Sequence, residues 1–176
     1  MKKIFLSLMV MVAAVAANAQ IWVGGSLGFR TYSDSEVSGT KMNLNINPEV
    51  GYDLSEDFSI AIGLGFGTTS YEDSNRDNST TISVNPYARY KFLKAGNFNV
   101  FLDGGFAFNS EDDGANKNNT WSIGVKPGVA YSINENFSVV AHLGDGLIYR
   151  GGDNKTQNGI ALDIANGLSF SVYYAF

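Results

Sequence analysis

The feature that most constrains the fold of this chain is a regular alternation of apolar residues with small or polar ones, repeated in eight segments after residue 20. The alternation is clearest over 42–52, where Met42, Leu44 and Ile46 are separated by asparagines. Because successive side chains of a strand point to opposite faces, a period of two predicts strands with two different faces. The predicted strands cover about 21–30, 42–52, 58–67, 81–92, 98–109, 120–131, 137–149 and 159–176.

The connections between these strands alternate in length. Short predicted turns are followed by longer predicted loops that are rich in Asp, Glu, Asn, Ser, Thr and Gly. The turns are 53–57, 93–97 and 132–136, and the loops are 31–41, 69–80, 110–119 and 150–158. An antiparallel meander with turns at one end and loops at the other is typical of an up-and-down barrel.

Alternation by itself does not say which face points inward. A soluble barrel buries its apolar face, but the interior of an eight-stranded barrel is only just filled by side chains. Several large apolar groups from every strand would overfill it, whereas the opposite face carries mainly Gly, Ser, Ala and Asn. Aromatic residues gather at both ends of the apolar face, as in the girdles at membrane interfaces. The sequence therefore predicts an all-β, closed antiparallel transmembrane barrel of eight strands.

The first residues have the organisation of an export signal. Lys2 and Lys3 precede an apolar run over 4–17, and Ala17-Asn18-Ala19 forms a small-residue cleavage site. This pattern predicts a cleaved secretory signal peptide over 1–19 and a mature barrel domain over 20–176. Without the two lysines the mature chain has 10 basic and 17 acidic residues, a net charge of −7, which argues against a nucleic-acid partner.

The last residues carry the most specific signal. Phe170, Val172, Tyr174 and Phe176 alternate with smaller or polar residues up to the final position. In this tail and in its strand pattern the mature chain resembles the small eight-stranded outer-membrane barrels of Gram-negative bacteria, the OmpA/OmpX-like type. The resemblance implies a tail recognised by the barrel-assembly machinery, periplasmic chaperones as further partners, and outer-membrane lipid as the surroundings. It also implies periplasmic termini and extracellular loops, and we expect a monomer.

Charged residues on the small-residue face are expected to form a polar network in the lumen. These residues are Arg30, Glu49, Arg89, Lys91, Asp103, Lys126, His142 and Asp163. Because an isolated buried charge is costly, we expect Lys126 to pair with Asp103, with His142 beside them, and Glu49 to reach Arg89. Asp145, on the apolar face, is expected near the upper membrane interface, unless a bulge at Gly144 turns it inward.

The sequence offers little chemistry beyond this network. His142 is the one histidine, and Ser138, the nearest inward serine on its strand, lies lower, so a catalytic triad is not expected. The glycine runs at 24–28 and 63–67 do not join a strand to a helix, so they do not predict a nucleotide loop. The acidic loop clusters, around Asp34, Glu72 and Asp112, lack the spacing of a calcium loop. We therefore expect no catalytic residue, cofactor or metal site.

Three functions are compatible with such a barrel. The favoured hypothesis is a non-enzymatic envelope protein with a structural role or a surface-interaction role through its loops, whose ligand the sequence does not specify. The first alternative is a small passive pore, and the second is an outer-membrane lipid-modifying enzyme. Eight strands rarely leave a continuous water column, which disfavours the pore.

Overall fold

The chain is described by a computed structural model, which defines residues 21–34, 39–71, 78–153, 158–164 and 168–176. The predicted signal peptide lies outside these residues. The β-strands are β1 Ile21–Asp34, β2 Gly39–Asp53, β3 Phe58–Tyr71, β4 Ser79–Ala95, β5 Phe98–Asp112, β6 Lys117–Ser132, β7 Phe137–Leu143, β8 Gly146–Gly152, β9 Gly159–Asp163 and β10 Leu168–Ala175. The described residues contain no helix with the length and apolar character needed to span a membrane.

The strands form one closed antiparallel barrel of eight strands. Each of β1 to β6 pairs with the next along the chain, and β7 and β8 both pair with β6 as two parts of the seventh barrel strand. β9 and β10 together form the eighth, and β10 closes the barrel by pairing with β1. The predictions of eight strands and of pairing between the first and last strands are therefore confirmed.

The apolar face of the sheet points outward, as the volume argument predicts. Along β3, Ile60, Ile62 and Leu64 are exposed, whereas the alternate residues Gly63 and Gly65 are buried. In lipid every backbone polar group needs a partner within the protein, and closure of the barrel supplies most of these partners. Short turns join the strands at the end where Phe176 N–H donates to the Ile21 carbonyl, 3.0 Å away. We call this the turn end and the opposite rim the loop end.

The loops are shorter than the sequence predicts, because the strands extend further. β5 and β6 remain paired as far as Asp112 and Lys117, inside the segment 110–119 expected to be a loop. The Asp113 carboxylate accepts hydrogen bonds from the backbone of Ala115 and Asn116, which stabilises the tight turn. The polar segments at the loop end are therefore paired strand ends that extend beyond the apolar outer surface. Apolar and polar residues need not alternate there.

The seventh barrel strand is interrupted where two glycines flank Asp145. Gly144 and Gly146 have φ angles of 68° and 66°, in the left-handed region that favours glycine. β7 ends its pairing with β6 at Gly128, and β8 resumes at Val125, so four residues of one strand face two of the other. This enlarged bulge keeps the faces of β7 and β8 in phase and turns Asp145 out of the sheet plane.

Candidate functional site

A buried layer of large side chains closes the lumen near the turn end. Its members, here called the plug, project inward from five strands and are less than a tenth exposed: Trp22, Tyr87, Arg89, Phe101, Val140 and Tyr173. Trp22 and Tyr173 stack with ring centroids 4.6 Å apart. The Phe101 side chain is fully buried, so this layer fills the barrel interior at its level.

Glycines on adjacent strands make room for the plug. A Cβ added at Gly51 would lie 2.0 Å from the Trp22 ring, and one at Gly128 would lie 2.3 Å from the Phe101 ring. A Cβ at Gly24 would likewise lie 1.8 Å from the Tyr173 ring. Each aromatic side chain therefore lies across the backbone of a neighbouring strand, and alternation of large and small inward residues fits the narrow lumen.

Arg89 is the charged centre of the plug. Its Nε and Nη2 donate to the two carboxylate oxygens of Asp103, both at 2.7 Å, a bidentate pair in which both side chains are buried. Its guanidinium carbon lies 4.0 Å from the Phe101 ring centroid, with the Trp22, Tyr87 and Tyr173 rings within 5.7 Å. A paired charge enclosed by aromatic faces is a stable way to bury a cation.

The predicted partners within the lumen network are wrong in two places. Asp103 pairs with Arg89 on β4 rather than with Lys126 on β6, although it lies opposite both residues in the sheet register. The planar guanidinium can bind both carboxylate oxygens, which an ammonium cannot do. Lys126 instead pairs with Asp145 at 3.2 Å, with both side chains about 40% exposed. The alternative of a bulge at Gly144 is the correct one, because Asp145 is turned toward the lumen.

Glu49 is the second correction, because it is not bonded to Arg89. Its Oε2 accepts hydrogen bonds from Tyr87 Oη at 2.5 Å and from Tyr173 Oη at 2.9 Å. Equal distance from the turn end on two strands does not bring side chains together, since barrel strands are tilted and staggered. Glu49 therefore lies on the loop side of the plug, held by two neutral hydroxyls.

The remaining predicted residues fall in other places. His142 Nε2 lies 2.8 Å from Asp103 Oδ2, and its ring packs edge-on against Phe101, as an adjacent polar partner. Lys91 lies on the turn side of the plug, 3.7 Å from Asp53. The side chains of Arg30 and Asp163 lie outside the described residues. Arg150 also contacts Asp145, so this carboxylate is shared by two cations.

A polar cavity of about 410 Å³ occupies the lumen on the loop side of the plug. Its floor includes Tyr87 and Asp103, and its walls carry Glu49, Lys126 and Asp145. A smaller space of about 110 Å³ lies on the turn side. The plug lies between the two spaces, so the candidate site is a cavity with the plug at its floor.

The cavity contains a His–Asp pair but not the arrangement of a catalytic triad. Asp103 is shared between His142 and Arg89, and the described hydrogen bonds give His142 no serine partner. In the described part of the chain no three His, Cys, Asp or Glu residues are placed to hold a metal. Of the acidic loop clusters, Asp112 and Asp113 bond to the backbone of their own turn, and Glu72 lies outside the described residues.

The predicted tail residues lie on the outer face of β10 and just beyond its end. Phe170 and Val172 are more than half exposed. Tyr174 packs edge-on against Phe137 and Phe176, with ring centroids 4.9 Å and 5.1 Å apart. This cluster forms part of the aromatic girdle at the turn end.

The plug is what sequence reasoning missed. Its aromatic residues fall on the small-residue face, where they break the pattern that predicted a lumen lined by Gly, Ser, Ala and Asn. The presence of aromatic residues on the small-residue face could have indicated the plug, because a large side chain on such a face needs glycines opposite it. Gly51, Gly105 and Gly128 are those glycines, but their strand partners depend on the register.

Together, the lipid-facing apolar surface and closed lumen define a small outer-membrane barrel. The chain belongs to the outer membrane protein beta-barrel domain family, whose pattern it matches over residues 4–176. Two solved structures share the fold: Neisserial surface protein A is 17% identical with a TM-score of 0.56, covering 89% of this chain and 97% of that one. The N-terminal barrel of Pseudomonas aeruginosa OprF is 17% identical with a TM-score of 0.51, covering 90% and 98%. Among curated proteins none matches in sequence.

Proposed function

We propose that this protein is a non-enzymatic component of the bacterial outer membrane that does not conduct, and that acts through envelope structure or through contacts made by its loop end. The plug is the observation that carries the proposal. Arg89 and Asp103, from the adjacent strands β4 and β5, form a buried pair, and the aromatic rings around the guanidinium project into the lumen at that level. This packing supports a lumen without a continuous water column. A passive pore needs such a column.

The lipid-enzyme alternative is less well supported by the same geometry. A triad needs a histidine between a carboxylate and a nucleophile, with the reacting group open to substrate. His142 is bonded to a carboxylate that Arg89 already binds bidentately, in the interior of the barrel. Asp103 is therefore better suited to neutralising buried charge than to orienting a catalytic base.

The orientation of the barrel in the membrane is part of the same proposal. We place the turn end in the periplasm and the loop end outside the cell, as in other outer-membrane barrels with short periplasmic turns. The tail from Phe170 to Phe176 would then be presented to the assembly machinery from the periplasmic side. Protease added to intact cells should cleave a site inserted at Gly114 and spare one inserted at Asn134.

Conductance of the purified protein in planar bilayers tests the closed lumen. Wild type should give no channel steps, whereas a variant with Trp22, Phe101 and Tyr173 all changed to Ala should conduct if it folds. Regular steps from wild type that match those of the opened variant would contradict the proposal. A deletion strain assayed together for permeability, adhesion and lipid A composition tests the role, and an altered lipid A acylation pattern restored by wild type but not by His142→Ala would establish the enzyme instead.

A further inference from the structure

The barrel wall has an unpaired seam on the loop side of the plug. β1 and β10 are joined through only four residue pairs, from Trp22–Ala175 to Gly25–Val172. Between Ser26 and Phe29, β1 is paired with β2 alone, although residues 168–171 opposite it belong to the described part of the chain. We call the gap between residues 26–29 of β1 and 168–171 of β10 the seam.

Side-chain exposure marks the same place independently. Large apolar residues flank the seam on both strands and are strongly exposed: Leu27 at 78% and Phe29 at 66% on β1, and Phe170 at 59% and Leu168 at 57% on β10. Unpaired backbone groups are unfavourable in hydrocarbon, so the seam needs either closure or an occupant.

The seam leads into the polar cavity. Ser26 lines the cavity from β1, and Leu168, Ser169 and Ser171 line it from β10. A molecule lying in the seam would therefore have apolar residues on the membrane side and a polar cavity on the lumen side. That combination fits an amphiphile and does not fit a purely polar solute.

The charges of the cavity specify the head group. On one wall Glu49 accepts hydrogen bonds only from neutral tyrosine hydroxyls among the described contacts. Across the lumen, on β6 four barrel strands away and on β8 three strands away in the other direction, the two cations Lys126 and Arg150 share the single carboxylate of Asp145. The cavity is therefore negative at one wall and positive at the opposite one, which complements a zwitterion.

We propose that the cavity and the seam together bind one single-chain zwitterionic amphiphile. Its ammonium donates to Glu49, its anionic group accepts from Lys126, and its chain lies along the seam between Leu27 and Phe170. Glu49 lies opposite Gly24 in the sheet register, at the lower end of the seam, so the ammonium enters close to where the wall opens. The plug stops the molecule from passing further, so the site binds and does not transport.

Binding of a fluorescent lysophosphatidylethanolamine, labelled at the end of its chain, tests the proposal. The protein is reconstituted in phosphatidylglycerol nanodiscs, whose bulk lipid lacks an ammonium group. We expect saturable binding of one probe per protein, weakened about tenfold or more by Glu49→Gln and by Lys126→Met, because each removes a charge-assisted hydrogen bond. Glu56→Gln and Lys94→Met, an exposed pair at the turn end, are matched controls and should bind as wild type.

Two further binding measurements separate the contribution of the head group from that of the chain. A labelled fatty acid with the same chain should bind much more weakly, and free phosphoethanolamine should compete only poorly. Absence of saturable binding, wild-type affinity in Glu49→Gln, or equal binding of the fatty acid would overturn the head-group assignment. Full competition by free phosphoethanolamine at the concentration of the probe would overturn the role of the seam.

A disulfide across the seam tests the entry route. Continuing the β1–β10 register places position 27 opposite position 170, so Leu27→Cys with Phe170→Cys should lock the seam closed on oxidation. Probe binding should be lost in the oxidised variant and return on reduction, whereas Val23→Cys with Tyr174→Cys, in the paired part, should bind normally. Undiminished binding to the locked barrel, or a disulfide joining two copies through the seam, would refute the proposal.

Discussion

Replacing Arg89 with Met tests the energetic role of the plug. The Arg89 and Asp103 side chains are 5% and 7% exposed, so removing the guanidinium leaves a buried carboxylate with only His142 beside it. Breaking a buried pair in this way costs about 3–5 kcal/mol. Met keeps most of the contact with the surrounding rings but loses the interaction of the cation with their faces, which adds to the loss.

The matched control is Lys126→Met. Lys126 and Asp145 are 41% and 39% exposed, and Arg150 remains to neutralise the carboxylate. A solvent-screened pair of this kind contributes about 0–1 kcal/mol. The two changes have the same chemistry but differ in burial, so their difference isolates the effect of the plug.

Equilibrium unfolding in urea from lipid vesicles, followed by tryptophan fluorescence, measures both variants. Arg89→Met should unfold at clearly lower urea than Lys126→Met, and adding Asp103→Leu should recover most of the loss because no unpaired charge then remains. Equal stabilities for the two single variants would refute the reasoning, as would a double variant less stable than Arg89→Met alone.

Three other predictions concern two glycines of the barrel and its last residue. Gly51→Ala should destabilise the barrel by about 1–3 kcal/mol because its methyl would overlap the Trp22 ring, whereas Gly104→Ala, with nothing within 4 Å, should be nearly neutral in the same urea assay. Gly144→Ala should cost about 1 kcal/mol through its left-handed φ of 68°; stability equal to wild type would contradict the bulge. Phe176→Ser should lower the amount of folded barrel in cells while leaving refolding in detergent intact, as measured by heat-modifiable gel mobility; equal loss in both would make the tail structural only.

Much of the architecture could be predicted from the sequence because it depends on local patterning. A period of two fixes which residues share a face, and the volume of an eight-stranded lumen decides that the large apolar face points outward. Ile60, Ile62 and Leu64 are exposed for this reason, and the strand count follows from the number of alternating segments.

The contacts inside the lumen could not be predicted in the same way. Which inward residues meet depends on the tilt and stagger of the strands. These shift neighbouring strands relative to each other by amounts that cannot be read from the sequence of one strand. The sequence shows that Arg89, Asp103 and Lys126 share the inner face, but only the register places Asp103 between the other two. The glycines around Asp145 then give Lys126 a different partner.

The sequence by itself determined the class of this protein, because alternation, the aromatic girdles and the tail are properties of individual strands. Only the tertiary structure decided that the lumen is closed and where the wall is unpaired. The plug requires Trp22 to lie over Gly51 and Phe101 over Gly128, contacts between residues 29 and 27 positions apart. The seam is a pairing left unmade between the first and last strands, and the composition of either strand alone is compatible with a paired edge.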